Sequence, residues 1–195
     1  MTVVALHVEV MGAGAPRVVC CHGFTQTGRS WHAAASLLAR QHEVVTVDMP
    51  GHGDSGHAPA DLWAAADLVG SAGGVGVYIG YSMGGRVALH LALLRPELVS
   101  ALVVVGATGG IDSSVERARR RAADDDLAAT IERNGVDHFL TEWLAQPLFA
   151  SLPAAAADVD DRRRNTAVGL AASLRHTGTG TQEPLWDRLA LLDMP

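Results

Sequence analysis

Through the first half of the chain, short valine- and isoleucine-rich runs alternate with longer Ala- and Leu-rich stretches at helical spacing. Apolar β-branched runs bounded by turn formers read as strands, and their alternation with helices argues for βαβ units and a parallel sheet. The pattern predicts strands over Val3 to Val10, Val18 to Cys21, Glu43 to Val47, Val75 to Ile79 and Ala101 to Val105. It predicts helices over Trp31 to Arg40 and Met83 to Leu94, with a weaker one over Asp61 to Val69. Arg95-Pro96 ends the second of these, because proline cannot continue a helix.

Past Gly106-Ala107-Thr108-Gly109-Gly110 the β-branched runs stop and charged helical segments take over. A long helix is expected from Ser113 to Arg133, stopped by Asn134-Gly135, then one from Val136 to Leu144 and a third from about Ala155 to Leu174. Trp186 to Leu192 reads as a last helix returning to the core. The chain thus divides into a core over residues 1–108, a helical lid over 109–184 and a return to the core over 185–195.

Composition narrows the class. With 195 residues, 48% hydrophobic and 18% charged, the chain is globular and able to bury a sizeable core. A formal charge of −6 gives no general basis for holding nucleic acid or an anionic membrane surface, and neither partner is expected. The basic residues are all arginine, whose fork suits bidentate recognition of carboxylates, although codon bias in an Ala- and Arg-rich proteome accounts for most of them. Cys20 and Cys21 are adjacent in a strand, so their side chains point to opposite faces and no disulfide joins them. With no zinc-type Cys/His spacing, no basic leader and no apolar stretch of membrane-spanning length, a cytoplasmic protein without a metal is expected.

The chemistry concentrates at Gly80-Tyr81-Ser82-Met83-Gly84. This pentapeptide follows one predicted strand and opens a predicted helix, the context of a nucleophile elbow, in which glycines let a serine stand on a sharp turn. The backbone N–H groups of Phe24, in the His22-Gly23-Phe24 loop after a strand, and of Met83, after the serine, are the expected oxyanion donors. His22 reads as loop packing, and His52, in Asp48-Met49-Pro50-Gly51-His52-Gly53-Asp54-Ser55, as turn-fixing. Arg86 lies one helical turn beyond Ser82 on the same face. A guanidinium entering a core needs an anion to meet it, whether a substrate carboxylate or a lid acid.

Taken together, these residues resemble the 2-succinyl-6-hydroxy-2,4-cyclohexadiene-1-carboxylate synthases of menaquinone biosynthesis, a family within the α/β-hydrolase fold. The resemblance runs from Val18 onward and includes His22-Gly23-Phe24 with Trp31, the Asp48 to Ser55 loop, Gly80 through Arg86, and lid positions such as Glu116-Arg117, Phe139, Gln146 to Leu152 and Ser173-Leu174-Arg175. It implies a lyase that eliminates pyruvate from 2-succinyl-5-enolpyruvyl-6-hydroxy-3-cyclohexene-1-carboxylate, a small polycarboxylate, with no cofactor. It implies Ser82 as the catalytic serine and Tyr81, Arg86, Arg120 and Trp143 as substrate-binding residues. Arg162 or Arg164 answers to one further arginine; Arg164 is taken for that role, although the run Arg162-Arg163-Arg164 leaves the register open.

The resemblance places the triad acid and histidine beyond Pro195. On that reading the chain is a C-terminally truncated member, inactive as it stands, with an exposed sheet edge. His57, His90, His138 and His176 match no triad position. Two other classes stay open: a serine-dependent ester or thioester hydrolase, and a hydrolase-like binding protein without turnover.

Overall fold

In a computed structural model describing residues 5–56 and 60–195, the strands β1 (Val8–Met11), β2 (Val18–Cys21), β3 (Val44–Val47), β4 (Gly76–Tyr81) and β5 (Val99–Val105) form one sheet. Their order is β1-β3-β2-β4-β5, with β1 antiparallel to β3 and the other neighbours parallel. This is the α/β-hydrolase architecture expected, a mostly parallel sheet flanked by helices. Every residue of β2 and β3 is buried, as two-sided coverage of a parallel sheet requires.

Residue alternation sorts the core into two layers. Val19, Cys21, Val45 and Val47 face helices α2 (Leu62–Gly73) and α3 (Met83–Leu94), where they meet Val69, Val87 and Leu91. Val18, Cys20 and Val44 face the other way, onto α1 (His32–Leu38). The two cysteines therefore point to opposite faces, and both are free and buried. Each fully buried aliphatic side chain contributes roughly 1.5–3 kcal/mol, so the central strands and α3 dominate the core's stability.

The register aligns the loops that matter. Cys21 pairs with Val47 on one side and Gly80 on the other, so β2, β3 and β4 end level and release their following loops side by side. α2 starts on Asp61, whose side chain accepts from the Ala64 N–H, and stops at Gly74 with φ 70°. α3 covers the predicted span, buried from Met83 to Ala92 and ended before Pro96.

The lid departs from expectation in one place. The first two predicted lid helices are present as expected, contiguous as α4 (Ser114–Leu144) and separated by non-helical backbone at Gly135, with φ 80° and ψ 172°. The predicted third helix is broken into α5 (Ala154–Ala157), α6 (Val159–Arg162) and α7 (Ala167–Thr177). Asp158 takes a left-handed conformation at φ 44°, and Thr166 caps α7 through its side chain, so the helical register restarts twice. α4 and α7 pack together through Ala128, Ile131, Phe139, Leu140, Leu170 and Leu174. Phe24 joins this cluster to the core beneath, because it packs against both.

Smaller differences lie at the termini. The first strand begins at Val8 instead of Val3, with Val3 and Val4 outside the described residues. His57 also lies outside them. The predicted last helix is a 3-10 stretch, Trp186–Leu191. Alongside β5, the Leu102 N–H donates to the Pro195 carbonyl at 2.9 Å, while Val103 and Val105 are 45% and 46% exposed. The outer side of β5 is thus open apolar surface along most of its length.

Candidate active site

Ser82 sits between β4 and α3 with φ 50° and ψ −110°, in the left-handed region that a residue with a Cβ adopts only under constraint. Such a conformation costs on the order of 1–3 kcal/mol and persists only where its surroundings over-determine it. Here they do. The Ser82 N–H donates to the Val105 carbonyl at 2.8 Å, and the Ser82 carbonyl accepts from the Arg86 N–H at 3.1 Å. A Cβ at Gly80 would lie 2.5 Å from the Gly85 Cα, and one at Gly84 2.3 Å from the Cys21 carbonyl oxygen. The flanking glycines are therefore required by close backbone approach.

The loop after β2 stands beside this elbow. The Gly23 N–H donates to the Gln26 Oε1 at 2.9 Å, and the Gln26 N–H returns to the Gly23 carbonyl at 3.2 Å. Neither the Phe24 N–H nor the Met83 N–H has an acceptor among the described residues. Two free donors thus flank a serine at a helix N-terminus, whose dipole favours negative charge.

Above them lies a cavity of about 830 Å³, bounded by Ser82 and Met83 below and by α4, α7 and the segment around residues 146–156 above. Phe24, Leu127, Trp143, Leu148, Phe149 and Leu152 supply its apolar wall. Trp143 meets Phe24 edge-on at 5.5 Å and Phe149 at 5.7 Å, with its indole N–H buried and unpartnered. Tyr81 lines the cavity over Gly23, where a Cβ would meet its ring at 2.8 Å.

Three arginines reach the same cavity. Arg86 is 7% exposed and its Nη1 donates to the Thr177 carbonyl at 2.7 Å, yet it forms no ion pair among the described residues. Burial, then the nearby Arg120 cation, lower its pKa to about 10, against a partial restoring pull from Asp124. Arg162 is buried too; its Nε donates to the Ala157 carbonyl at 2.6 Å and its Nη1 to the Thr25 hydroxyl. It has no carboxylate partner among the described residues either, and burial lowers its pKa. Arg120 is half exposed and pairs with Asp124 at 2.8 Å, leaving the second, buried oxygen of Asp124 unpartnered. Two buried guanidinium groups without an ion-pair partner among the described residues thus stand beside a third that shares the one carboxylate of the lining, Asp124, which leaves the cation charge in excess.

Arg164 stands elsewhere. It bridges Asp54 at 2.5 Å and Asp161 at 3.3 Å and does not line the cavity, so the arginine of the 162–164 run that faces it is Arg162. Arg163 pairs with the exposed Asp137 and Asp160. Three successive arginines offer no way to choose among themselves, because the run straddles the end of α6, a one-turn helix whose phase the surrounding breaks determine. Gln26, Ser173 and Thr177 also reach the cavity; polar residues in the middle of an apolar helix were the only available signal for the last two.

The histidines act as structure. His22 donates through Nδ1 to the Gly23 carbonyl at 2.8 Å and accepts the Met49 N–H on Nε2 at 3.0 Å. Burial lowers its pKa to about 4, and burial with the neighbouring His22 lowers that of His52 to about 3. His52 spans its own turn, with Nδ1 on the Pro50 carbonyl at 3.1 Å. His90 bonds the Arg86 carbonyl and packs on Trp63. The cavity lining contains no histidine among the described residues. One cluster of metal-ligand spacing occurs among them, His7, Asp48 and Asp54. Its oxygens are already committed: those of Asp48 to the Gly28 and Asp54 N–H groups, and that of Asp54 to Arg164.

Comparison with known proteins agrees with this geometry. Residues 16–133 match the α/β-hydrolase-fold family. A 2-succinyl-6-hydroxy-2,4-cyclohexadiene-1-carboxylate synthase from Citrobacter koseri is 33% identical, over 93% of this chain and 75% of its own length. A Bacillus subtilis protein provisionally given the same name is 36% identical, over 91% of this chain and 70% of its own. Among solved structures, MenH from S. aureus superposes with a TM-score of 0.89 at 28% identity, covering 100% of this chain and 78% of that one.

Proposed function

This chain belongs to the 2-succinyl-6-hydroxy-2,4-cyclohexadiene-1-carboxylate synthases, enzymes of the α/β-hydrolase fold, and from that premise we propose that its Ser82 cavity binds a cyclohexene polycarboxylate and releases pyruvate from it. The substrate is 2-succinyl-5-enolpyruvyl-6-hydroxy-3-cyclohexene-1-carboxylate. The observation that carries the proposal is the pair of buried, unpaired guanidinium groups of Arg86 and Arg162, with Arg120 beside them, around one elbow serine. Neutral esters give such cations nothing to bind, whereas several carboxylates on one ring neutralise them with charge-assisted hydrogen bonds.

In this reading the arginines hold the ring carboxylates, while Trp143, Phe149 and Tyr81 pack on its apolar faces. A base takes the Ser82 hydroxyl proton, and Ser82 Oγ takes the C2 ring proton. The electron pair shifts through the ring double bond to make the 2,4-diene as the C5–O bond breaks, and the departing enolate takes up the proton held by the base to leave as pyruvate. Negative charge that develops on oxygen is met by the Phe24 and Met83 N–H groups, already aimed and needing no reorganisation. The family resemblance assigns the proton acceptor for Ser82 to a histidine beyond Pro195, and no histidine among the described residues lines the cavity. Such an elimination needs positioning and a base, and the rigid elbow and the cation set are suited to supply the positioning.

The test uses the full-length protein and two substrates, the polycarboxylate and a short neutral ester. Arg86→Ala and Arg162→Ala are expected to lower kcat/KM for pyruvate release by roughly 10- to 100-fold each, the worth of a hydrogen bond to a charged group. Ester turnover that exceeds pyruvate release and survives both substitutions would assign the site to a hydrolase instead.

A further inference from the structure

The loop that carries the Phe24 donor is held less by the core than by the lid. Residues Gly23 to Gln26 form a tight turn closed by the Gln26 N–H on the Gly23 carbonyl, with Thr25 in its third position at φ 71°. A positive φ there is the signature of a turn that prefers glycine, and a β-branched residue in it is strained. Thr25 is fully buried and cannot relax toward water. What keeps it in place comes from residues 161–165, the end of α6 and the link to α7. Asn165 Nδ2 donates to the Thr25 carbonyl at 2.7 Å, and the Arg162 guanidinium donates to its hydroxyl. Two residues on, the Thr27 hydroxyl donates to Asp161 at 2.7 and 2.9 Å.

Asn165 is the junction of this network. It is 4% exposed, and its side chain serves three segments at once. Nδ2 reaches both the Thr25 carbonyl and, at 3.0 Å, the Arg162 carbonyl, while Oδ1 accepts the Gly53 N–H at 2.9 Å. It thereby ties the loop after β2, the loop after β3 and the segment that aims Arg162 into the cavity. We propose that Asn165 is a positioning residue for the reaction, holding Thr25 in its strained turn so that the Phe24 N–H faces the site and the lid's arrival sets the oxyanion geometry. The proposal rests on the Phe24 N–H serving as an oxyanion donor, as described above.

The test compares Asn165→Ala and Asn165→Asp with the unaltered full-length protein, alone and combined with Thr25→Gly. Both single variants are expected to lower kcat for pyruvate release by about 10- to 100-fold with KM changed less than about threefold, the scale of a misplaced reacting group. Asn165→Asp keeps an acceptor for the Gly53 N–H while removing the donor to Thr25, so it isolates the loop if the alanine variant folds poorly. Glycine adopts the positive φ unaided, so Thr25→Gly is expected to restore about tenfold of the lost kcat. Arg163→Ala, on the exposed neighbour, serves as the unaffected control. Unchanged kcat in the single variants, or a loss that glycine at position 25 does not relieve, overturns the proposal. The rate of Ser82 labelling by a fluorophosphonate, which also draws on the oxyanion donors, is read in parallel. If the unaltered protein releases no pyruvate, the functional reading fails there, and the labelling rates still decide the role of Asn165.

Discussion

At the scale of single residues, the site is a set of costs accepted for function. Ser82 and Thr25 hold positive φ, and Arg86 and Arg162 are buried without an ion-pair partner among the described residues. The elbow's glycines show the constraint most directly. Gly84→Ala places a methyl group 2.3 Å from the Cys21 carbonyl oxygen, and backbone at that distance cannot give way cheaply. The substitution is expected to destabilise the protein by at least about 1–3 kcal/mol, read as a lower denaturant midpoint with unchanged slope. His22 and His52 make a second prediction at this scale. Their folded-state pKa values, about 4 and about 3, lie below the ordinary 6.5 because both rings are fully buried. The unfolded chain therefore binds more protons below pH 6.5, and the stability that neutral histidines contribute is present above that pH and lost as pH falls toward 4 and 3. Each adds a slope of at most about 1.4 kcal/mol per pH unit in that window. Denaturation at a series of pH values checks this, and a slope below pH 6.5 that is no shallower in His52→Gln would contradict it.

At the scale of elements, the sheet and α3 were legible because their signals are local and redundant. β-branched runs, turn formers and the Arg95-Pro96 stop all agreed, and the predicted Met83 to Leu94 helix is the observed one. The elbow was legible for the same reason, since its glycines, serine and flanking elements lie within one short stretch. The lid was less so. The predicted third helix runs through Asp158 and Thr166, where left-handed backbone and a new cap break it, although Asp160 to Thr166 is an unbroken polar run with no apolar position to mark a helical face. The choice among Arg162, Arg163 and Arg164 depended on those breaks and could not precede them. Asn165 gave no signal at all, because its partners lie more than 100 residues away, at Thr25 and Gly53. Gly135 tests the lid's architecture. It kinks α4 at φ 80° with open space where a side chain would go, so the cost of Gly135→Ala comes from backbone conformation alone. It is expected to lower stability by roughly 1–3 kcal/mol, or to straighten the helix and withdraw Trp143 from the cavity. Indole fluorescence and thermal unfolding distinguish the two.

At the scale of the molecule, charge is distributed against the overall balance. The chain carries a formal −6, yet three guanidinium groups converge on one cavity, while six of the other twelve arginines pair with carboxylates among the described residues. Attraction of a polyanion is therefore local, carried by buried groups that salt screens weakly, and KM for the polycarboxylate is expected to rise less than about threefold from low to physiological ionic strength. A steep rise would point to surface charge instead. The core and the lid meet at Phe24, which packs into both, so substrate binding, oxyanion geometry and lid position are features of one connected structure. The most direct measurement is the time course of pyruvate release from 2-succinyl-5-enolpyruvyl-6-hydroxy-3-cyclohexene-1-carboxylate by the full-length protein and its Ser82→Ala variant. The account predicts steady release by the former and a loss of at least about 10³-fold in the latter, as removal of a catalytic serine entails; equal rates from the two, or none from either, would contradict it.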